Sequence, residues 1–239
     1  MNDPIITVDE ITSQFRDDMC VLDRLPQGVR MSTGDHGTTA RVRRLYDRYA
    51  GSYDRDTDWY DRVMLGSARQ AVCGQARSQV LEVAVGTGRN LPFYPPEVSL
   101  TGVDLSPAML AVARHRAAGL GRDVELREAD AQTRPFSDAA FDTVVCTLGL
   151  SSVPDDRAAV GQMFRVLRPG GRLLLLGHVA SRYWPAWAIQ FAVERYSRRL
   201  TGDRQLRRTV PLVEAAGFHV DRRSVRRAGI IELLAASKP

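Results

Sequence analysis

Lysine is nearly absent from this chain: of its 33 basic residues, Lys238 is the only lysine and the others are arginine. Cysteine is scarce too. The chain has three, Cys20, Cys73 and Cys146, and no two of them have the CxxC spacing of a metal or redox site. Apolar runs such as Leu173–Leu176 are far too short to span a bilayer. These features argue against a disulfide framework, a cysteine-based zinc site and a membrane-spanning helix.

A secretory signal is also missing, since the opening MNDPIITVDE has neither a basic segment nor an apolar one after it. We therefore expect a cytoplasmic protein. The length of 239 residues suffices for one α/β domain with appended helices. A net charge of +5 is compatible with acidic partners or an anionic membrane surface but requires neither.

The most informative stretch is QVLEVAVGTGRN, residues 79–90. Its apolar and β-branched run predicts a buried strand. The Gly86-Thr87-Gly88 segment that follows allows a tight turn, which brings the backbone close to a ligand. A second short strand, Ser99–Val103, ends at Asp104, where a carboxylate is placed to accept hydrogen bonds from ribose hydroxyls. The pattern predicts the nucleoside-binding unit of an α/β fold.

Two common nucleotide motifs do not fit this stretch. G-x-G-x-x-G would need glycine where Leu91 stands, and no Gly-Lys-Ser/Thr of a phosphate-binding loop occurs. The pattern that is present is Glu82-x-Ala84-x-Gly86-x-Gly88, followed by Asp104. It resembles motif I and the next acidic motif of class I S-adenosylmethionine-dependent methyltransferases, with Ala84 where that family usually has glycine.

An upstream segment is similar to the same family. It reads Tyr46-Asp47-Arg48-Tyr49-Ala50-x-x-Tyr53-Asp54. It resembles the YD-x-x-A-x-x-YD element of the ubiquinone/menaquinone and phosphatidylethanolamine branches, where the element is a lid over the cofactor. The resemblance implicates Tyr53 first, then Tyr46 and Tyr49; the alternative is that these tyrosines only pack a helix onto the sheet. The LRPGG turn at 167–171 is a further mark of the family.

The resemblance implies S-adenosylmethionine as the cofactor. It assigns the ribose to Asp104, the adenine amine to Asp130 and the methionine end to Thr147. Phe136 is expected as a wall for the adenine. The complete implied set is Tyr53, Glu82, Ala84, Gly86, Thr87, Gly88, Asn90, Asp104, Leu105, Met109, Asp130, Ala131 and Thr147. No metal is expected, because methyl transfer from a sulfonium is an in-line displacement and no metal-ligand spacing occurs.

A catalytic base is needed only if the acceptor carries a proton at the working pH. His178 is the candidate, because it follows the fifth predicted strand at the edge of the sheet where ligands bind. The alternative is a histidine that is hydrogen-bonded near the cleft and takes no part in the chemistry. No Ser/His/Asp or Cys/His array is needed for this reaction, and none is evident.

Strands that alternate with helices imply a parallel sheet covered on both faces. Together with the resemblance, this gives an α/β, Rossmann-like three-layer sandwich with a seven-stranded, mostly parallel sheet whose last strand is antiparallel. Residues 1–40 are expected to form an N-terminal helix and a polar linker, and residues 41–239 the methyltransferase domain. Met31 is a second candidate start of translation, which would leave the first helix outside the protein.

A lid-like insertion is expected at 181–205, where several aromatic residues occur among arginines. Trp184, Trp187 and Phe191 would form an apolar wall for the acceptor, or would lie on a membrane surface beside arginines. The sequence favours the acceptor wall. Ordinary packing of one helix on the sheet is the third interpretation.

The function implied is methyl transfer to a small-molecule acceptor, with secondary metabolism as one setting. The main alternative is N-methylation of a phospholipid headgroup, because LEVAVGTGRNLPFYP, residues 81–95, is similar to the phosphatidylethanolamine N-methyltransferase-like branch. A non-catalytic cofactor-binding protein is disfavoured by the intact motif. A nucleic-acid partner is not expected, since no Asn-Pro-Pro-Tyr motif occurs. Peripheral membrane contact stays open, and so does a homodimer formed through the N-terminal helix.

Overall fold

The computed structural model describes residues 39–200, 206 and 208–239. The predicted N-terminal helix, most of the predicted linker and Cys20 lie outside these described residues. The same holds for the last five residues of the expected insertion, 201–205.

A single mixed sheet of seven strands organises the described residues. The strands are β1 Gln79–Val83, β2 Ser99–Asp104, β3 Glu125–Glu128, β4 Phe141–Thr147, β5 Leu167–His178, β6 His219–Arg226 and β7 Ile231–Ser237. Their spatial order is β3-β2-β1-β4-β5-β7-β6. β7 is antiparallel to both of its neighbours, and the other adjacent pairs are parallel. This confirms the predicted fold class.

Six α-helices occur in the described part of the chain. They are α1 Thr39–Tyr60, α2 Ala68–Cys73, α3 Pro107–Gly119, α4 Asp156–Val166, α5 Trp184–Leu200 and α6 Thr209–Ala215. A π-helical turn, Asp61–Leu65, continues α1. None of the helices described is long and apolar enough to cross a membrane.

The central strands are buried on both faces, which explains their nearly continuous apolar sequences. In β1, Val80 packs in one core cluster together with Val72 of α2. Leu81 and Val83 pack in the other cluster, against Met163 of α4. Helices therefore cover both faces of the sheet, and its edge at the carboxyl ends of the strands stays free for loops.

The LRPGG turn at 167–171 lies inside β5. Phe141 pairs with Leu167, but the next pair is Thr143 with Arg172, so the register shifts between them. The intervening residues bulge out, and Gly170 has a φ of +75°, which favours glycine. The strand is thus interrupted locally without being ended.

Helix α3 begins with Ser106 as its N-cap. The Ser106 Oγ atom accepts a hydrogen bond from the Met109 amide at 3.1 Å and donates one to Asp47 at 2.6 Å. We expect Ser106→Ala to lower the free energy of unfolding by about 1–2 kcal/mol, because it removes this cap. Urea denaturation measures the change, and the exposed loop variant Ser137→Ala is the control. Equal effects of the two substitutions would contradict the capping role.

Candidate functional site

A cavity opens where the carboxyl ends of β1, β2 and β4 meet α1. It encloses about 900 Å³ of empty space, including its opening to solvent. Most of the residues predicted to contact the cofactor line it: Tyr53, Ala84, Gly86, Thr87, Asp104, Leu105, Met109, Asp130, Ala131 and Thr147. The other three, Glu82, Gly88 and Asn90, are buried and are not among the lining residues. The predicted set therefore converges on one place.

Asp104 is fixed in the cavity wall by backbone donors. The Gly86 amide donates to its Oδ2 atom at 2.8 Å, and the Ser106 amide donates to its Oδ1 atom at 2.9 Å. Burial raises the pKa of the Asp104 carboxyl, and these two backbone hydrogen bonds oppose the shift. Each oxygen keeps capacity for a further hydrogen bond. Asp104 can therefore accept from two donors of a ligand.

The glycine loop uses its residues in different ways. Gly86 has a φ of +56° and a side chain there would meet nothing, so its backbone borders open space. At Gly88 a Cβ atom would lie 2.9 Å from the Leu91 side chain and 3.3 Å from the Ala113 Cα atom. Gly88 thus permits close packing of the loop on α3, which is a structural role beneath the cavity.

Ala84 also has a positive φ, +57°, which explains why glycine is usual at this position. The methyl group of Ala84 is accommodated because Gly149 lies opposite. A Cβ atom at Gly149 would be 2.3 Å from the Ala84 Cβ atom. Gly149 therefore makes room for the alanine that stands at position 84 in place of the usual glycine.

Beneath the cavity lies a buried polar network. Asn90 donates to the Glu82 Oε1 atom at 2.6 Å and to the Thr147 Oγ1 atom at 2.7 Å. Arg69 donates to the Asn90 Oδ1 atom at 2.9 Å and binds both oxygens of Asp61, at 2.9 and 3.1 Å. Desolvation raises the pKa of Glu82 to about 7, although Asn90 and Arg69 oppose the shift. Glu82 and Asn90 therefore support the loop from below.

Asp130 follows β3 and already has several donors. Its Oδ1 atom accepts from the Gln132 amide at 2.9 Å, and its Oδ2 atom accepts from Thr39 at 3.2 Å. Phe136 is not among the lining residues, in contrast to its predicted role as an adenine wall. It packs edge-on against Phe141, with ring centroids 5.1 Å apart, as a partly buried residue at the border of the core cluster that contains Phe141.

Helix α1 covers the cavity, in the place where the resemblance puts a lid. Thr87 of the glycine loop donates to Asp54 at 2.6 Å. Tyr46 shares a hydrogen bond with Ser152 at 2.6 Å. Tyr46 and Tyr53 line the cavity, whereas Tyr49 lies behind them with its ring 5.2 Å from the Tyr53 ring. The tyrosines thus divide between the cavity wall and helix packing.

Two arginines in the wall, Arg69 and Arg89, do not stand out in the sequence. Arg89 pairs with Asp58 at 2.9 Å and with Asp61 at 3.3 Å. Asp54, Asp58 and Asp61 follow a spacing of four and three residues, which puts them on one helical face. These three aspartates are the feature of the sequence that could have predicted contacts between this helical segment and arginines elsewhere in the chain.

His178 ends β5 but lines a smaller neighbouring cavity, together with Glu232 and Leu148. Leu148 also lines the main cavity, so the two spaces adjoin. The His178 Nε2 atom and the Tyr60 hydroxyl share a hydrogen bond of 2.5 Å. Tyr60 was not predicted as a site residue, because nothing local in sequence links it to His178.

Known proteins with similar sequences include methyltransferases. Residues 80–171 match the family model described as a methyltransferase domain. A phosphatidylethanolamine N-methyltransferase of Cereibacter sphaeroides is 41% identical over 124 residues, 51% of this chain and 61% of that protein. A demethylmenaquinone methyltransferase of Thermus thermophilus is 37% identical over 128 residues, 52% of this chain and 56% of that protein. The chain thus spans less than two thirds of either relative.

Solved structures share the fold at lower identity. A possible histamine N-methyltransferase of Thermotoga maritima has a TM-score of 0.65 at 21% identity, over 83% of this chain and 100% of that one. A putative methyltransferase of Bacillus halodurans has a TM-score of 0.60 at 22% identity, over 73% of this chain and 98% of that one. These neighbours confirm the Rossmann-like fold. The glycine loop and Asp104 both lie within residues 80–171, the part of this chain that matches the methyltransferase domain model.

Proposed function

We propose that this protein is an S-adenosylmethionine-dependent methyltransferase that methylates a small-molecule acceptor. The observation that carries the proposal is Asp104, held by two backbone amides in a cavity beside the glycine loop of a methyltransferase domain. Such a carboxylate suits a ribose diol. The demethylmenaquinone methyltransferase similarity favours a small acceptor.

The chemistry of the cavity wall fits this cofactor. Its arginines, Arg69 and Arg89, are both committed to carboxylates, so neither is available for a pyrophosphate. Leu105, Met109 and Ala131 give the wall apolar surface of the kind that an adenine ring requires. A nucleoside without phosphates is therefore a better fit than a dinucleotide.

When bound, S-adenosylmethionine supplies an activated methyl group for in-line displacement. The protein's task is to align the acceptor, and such orientation contributes about 7–11 kcal/mol of barrier reduction in favourable cases. Asp104 would hold the ribose and Asp130 would border the adenine. Tyr53 and Thr147 would border the methionine end, beside the smaller cavity that His178 lines.

A second candidate acceptor is the amine of a phospholipid headgroup. The similarity to the Cereibacter sphaeroides phosphatidylethanolamine N-methyltransferase favours it. An amine acceptor must lose its proton before it attacks, and so must a phenol. His178 is our proposed base for either, because it lies in the cavity that adjoins the cofactor site.

Tyr60 is proposed to position His178 through their shared hydrogen bond. We expect Tyr60→Phe to lower kcat by about 3–10-fold, because His178 loses one hydrogen bond that orients it. Cofactor affinity should stay unchanged. The pH profile of kcat should shift as well, because the tyrosine hydroxyl influences the proton affinity of the imidazole. Tyr183→Phe, on an exposed tyrosine, is the control. An unchanged profile would remove the positioning role.

The proposed function is tested by calorimetric titration with S-adenosylmethionine and S-adenosylhomocysteine. Transfer of labelled methyl groups to quinols, phenols and phosphatidylethanolamine is then measured. Micromolar binding with transfer to a quinol or phenol supports the small-molecule proposal. Transfer to phosphatidylethanolamine alone would move the function to the second candidate. No binding of either cofactor form would overturn both.

A further inference from the structure

Helix α5 presents three aromatic side chains to solvent. Trp184, Trp187 and Phe191 are 79%, 44% and 48% exposed. They recur at three- and four-residue steps and therefore form one stripe. On the opposite side Gln190 is only 1% exposed. The helix thus exposes its large aromatic residues, while Gln190 and the small Ala186 are buried.

Hydrogen bonds fix this orientation of the helix. The Ser181 amide donates to the Gln190 Oε1 atom at 2.8 Å, and the Gln190 side chain donates to the Val179 carbonyl at 2.9 Å. Rotating the helix to bury the aromatic residues would break both bonds. The rings of Trp187 and Phe191 stack, with centroids 5.4 Å apart, so the stripe is ordered although it is exposed.

The sequence favoured the stripe as an acceptor wall, but the structure does not place it in either of the two cavities described above. None of its three aromatic residues lines the main cavity or the smaller one at His178. Their exposed area is contiguous apolar surface, which in soluble proteins marks an interaction site. The nature of the partner must come from the surroundings of the stripe.

A basic groove adjoins the stripe. It is lined by Arg182, Tyr183, Arg223, Arg226 and Arg227, and none of the described residues that line it is acidic. Within the described part of the chain, Arg182 and Arg226 form no ion pair. Arg223 does pair, with the buried Glu232. The groove therefore carries uncompensated positive charge.

Stripe and groove form one surface. Arg182 and Tyr183 line the groove and directly precede Trp184. The Trp187 amide donates to the Tyr183 carbonyl at 2.9 Å, which ties the helix to the groove wall. The groove also lies where β5 and β6 end, at the same edge of the sheet as the cofactor cavity.

We propose that this surface, the stripe plus the groove, docks the protein on an anionic lipid bilayer. Tryptophan and phenylalanine insert favourably at the boundary of headgroups and acyl chains. Arginines beside them bind lipid phosphates, each contributing about 1 kcal/mol near an anionic surface, which corresponds to roughly fivefold in affinity. A protein partner would explain the aromatic residues but does not require the groove's charge. A nucleic acid would explain the charge but not an apolar stripe.

This proposal goes beyond methyl transfer and is independent of it, since docking needs no cofactor. Its consequence is that the cavity edge would face the bilayer. An apolar acceptor dissolved in the membrane would then reach the site without crossing water.

The test is co-sedimentation of the full chain with vesicles of phosphatidylcholine containing one quarter phosphatidylglycerol, without cofactor. We expect binding that falls with added salt. Arg182→Gln with Arg226→Gln should weaken it roughly 25-fold. Trp184→Ala with Trp187→Ala and Phe191→Ala should weaken it roughly 30-fold, because apolar area no longer inserts. The controls are the exposed residues of the opposite edge, Leu120→Ala and Arg168→Gln, which should bind like the wild type.

Tryptophan fluorescence gives a second measurement. The chain has 3 tryptophans, so Trp59→Phe leaves the two of the stripe. Their emission should shift to the blue on vesicle addition, and bilayer contact should protect them from iodide. Absence of binding at low salt would overturn the proposal. Equal vesicle binding by the wild type and the aromatic triple variant would overturn it as well. So would binding to RNA or heparin that the triple variant retains and that added vesicles do not displace.

Discussion

Replacing Asp104 with alanine is expected to weaken S-adenosylmethionine binding by about 10²–10⁴-fold. The estimate assumes two hydrogen bonds from ribose hydroxyls to a carboxylate, worth roughly 1.5–3 kcal/mol each. The Asp104 carboxylate is already held in position for these hydrogen bonds, since the Gly86 and Ser106 amides fix both of its oxygens. Calorimetric titration of wild type and variant measures the loss.

The control is Asp142→Ala. Asp142 also accepts a backbone hydrogen bond, from the Gln79 amide at 3.1 Å, but it lies at the opposite edge of the sheet. Its removal should leave cofactor affinity unchanged. If both variants lose affinity equally, Asp104 acts on the fold rather than on the ligand.

A ligand analogue separates recognition from folding further. S-Adenosylhomocysteine that lacks the 2′-hydroxyl should bind the wild type more weakly than the parent compound. Asp104→Ala should bind the two with similar affinity, because the partner of that hydroxyl is gone. A variant that still discriminates between them would show that another residue holds the ribose.

The cofactor loop could be predicted from sequence because its determinants are local. The strand, the glycines, the following acidic residue and the Ser106 cap lie within about thirty consecutive residues, and each has its own physical signature. The arginine network could not be predicted. Arg69 bonds to Asp61 eight residues away and to Thr147 78 residues away. In a chain so rich in arginine, no single one stands out.

The aromatic stripe shows a different limit. Periodicity in the sequence groups Trp184, Trp187 and Phe191 on one face of a helix, but it does not give the direction of that face. The direction depends on Gln190, which bonds to the loop after β5 and so holds the helix with Gln190 inward and the aromatic residues outward. A buried glutamine with backbone partners is a tertiary feature without a sequence signal.

Arg69→Met is expected to lower the free energy of unfolding by about 3–5 kcal/mol, near the range for breaking a buried ion pair. The substitution leaves the buried carboxylate of Glu82 and the partly buried carboxylate of Asp61 without their shared cation. Arg89 still reaches Asp61, at 3.3 Å, which favours the lower end of the range. The control is Arg62→Met, an exposed arginine paired with Asp58, which should cost less than about 1 kcal/mol. Urea denaturation at pH 8 compares the two.

The pH dependence of the stability lost in Arg69→Met tests how much of that loss comes from Glu82. Burial raises the pKa of Glu82 from its ordinary 4.5 to about 7, so between these values the folded chain holds a proton that the unfolded chain has lost. Stability from this group therefore falls as pH rises through that window, by about 3 kcal/mol in total. Arg69 opposes the shift, so its loss raises the pKa of Glu82 further.

At pH 6 the Glu82 side chain is then neutral in Arg69→Met, and the substitution should cost less than it does at pH 8. Glu82→Gln removes the titrating group while its amide oxygen still accepts from Asn90. In that background Arg69→Met should cost nearly the same at both pH values. An equal cost at both pH values in the wild-type background would mean that Arg69 stabilises the fold through Asp61 and packing, and that the charge on Glu82 contributes nothing.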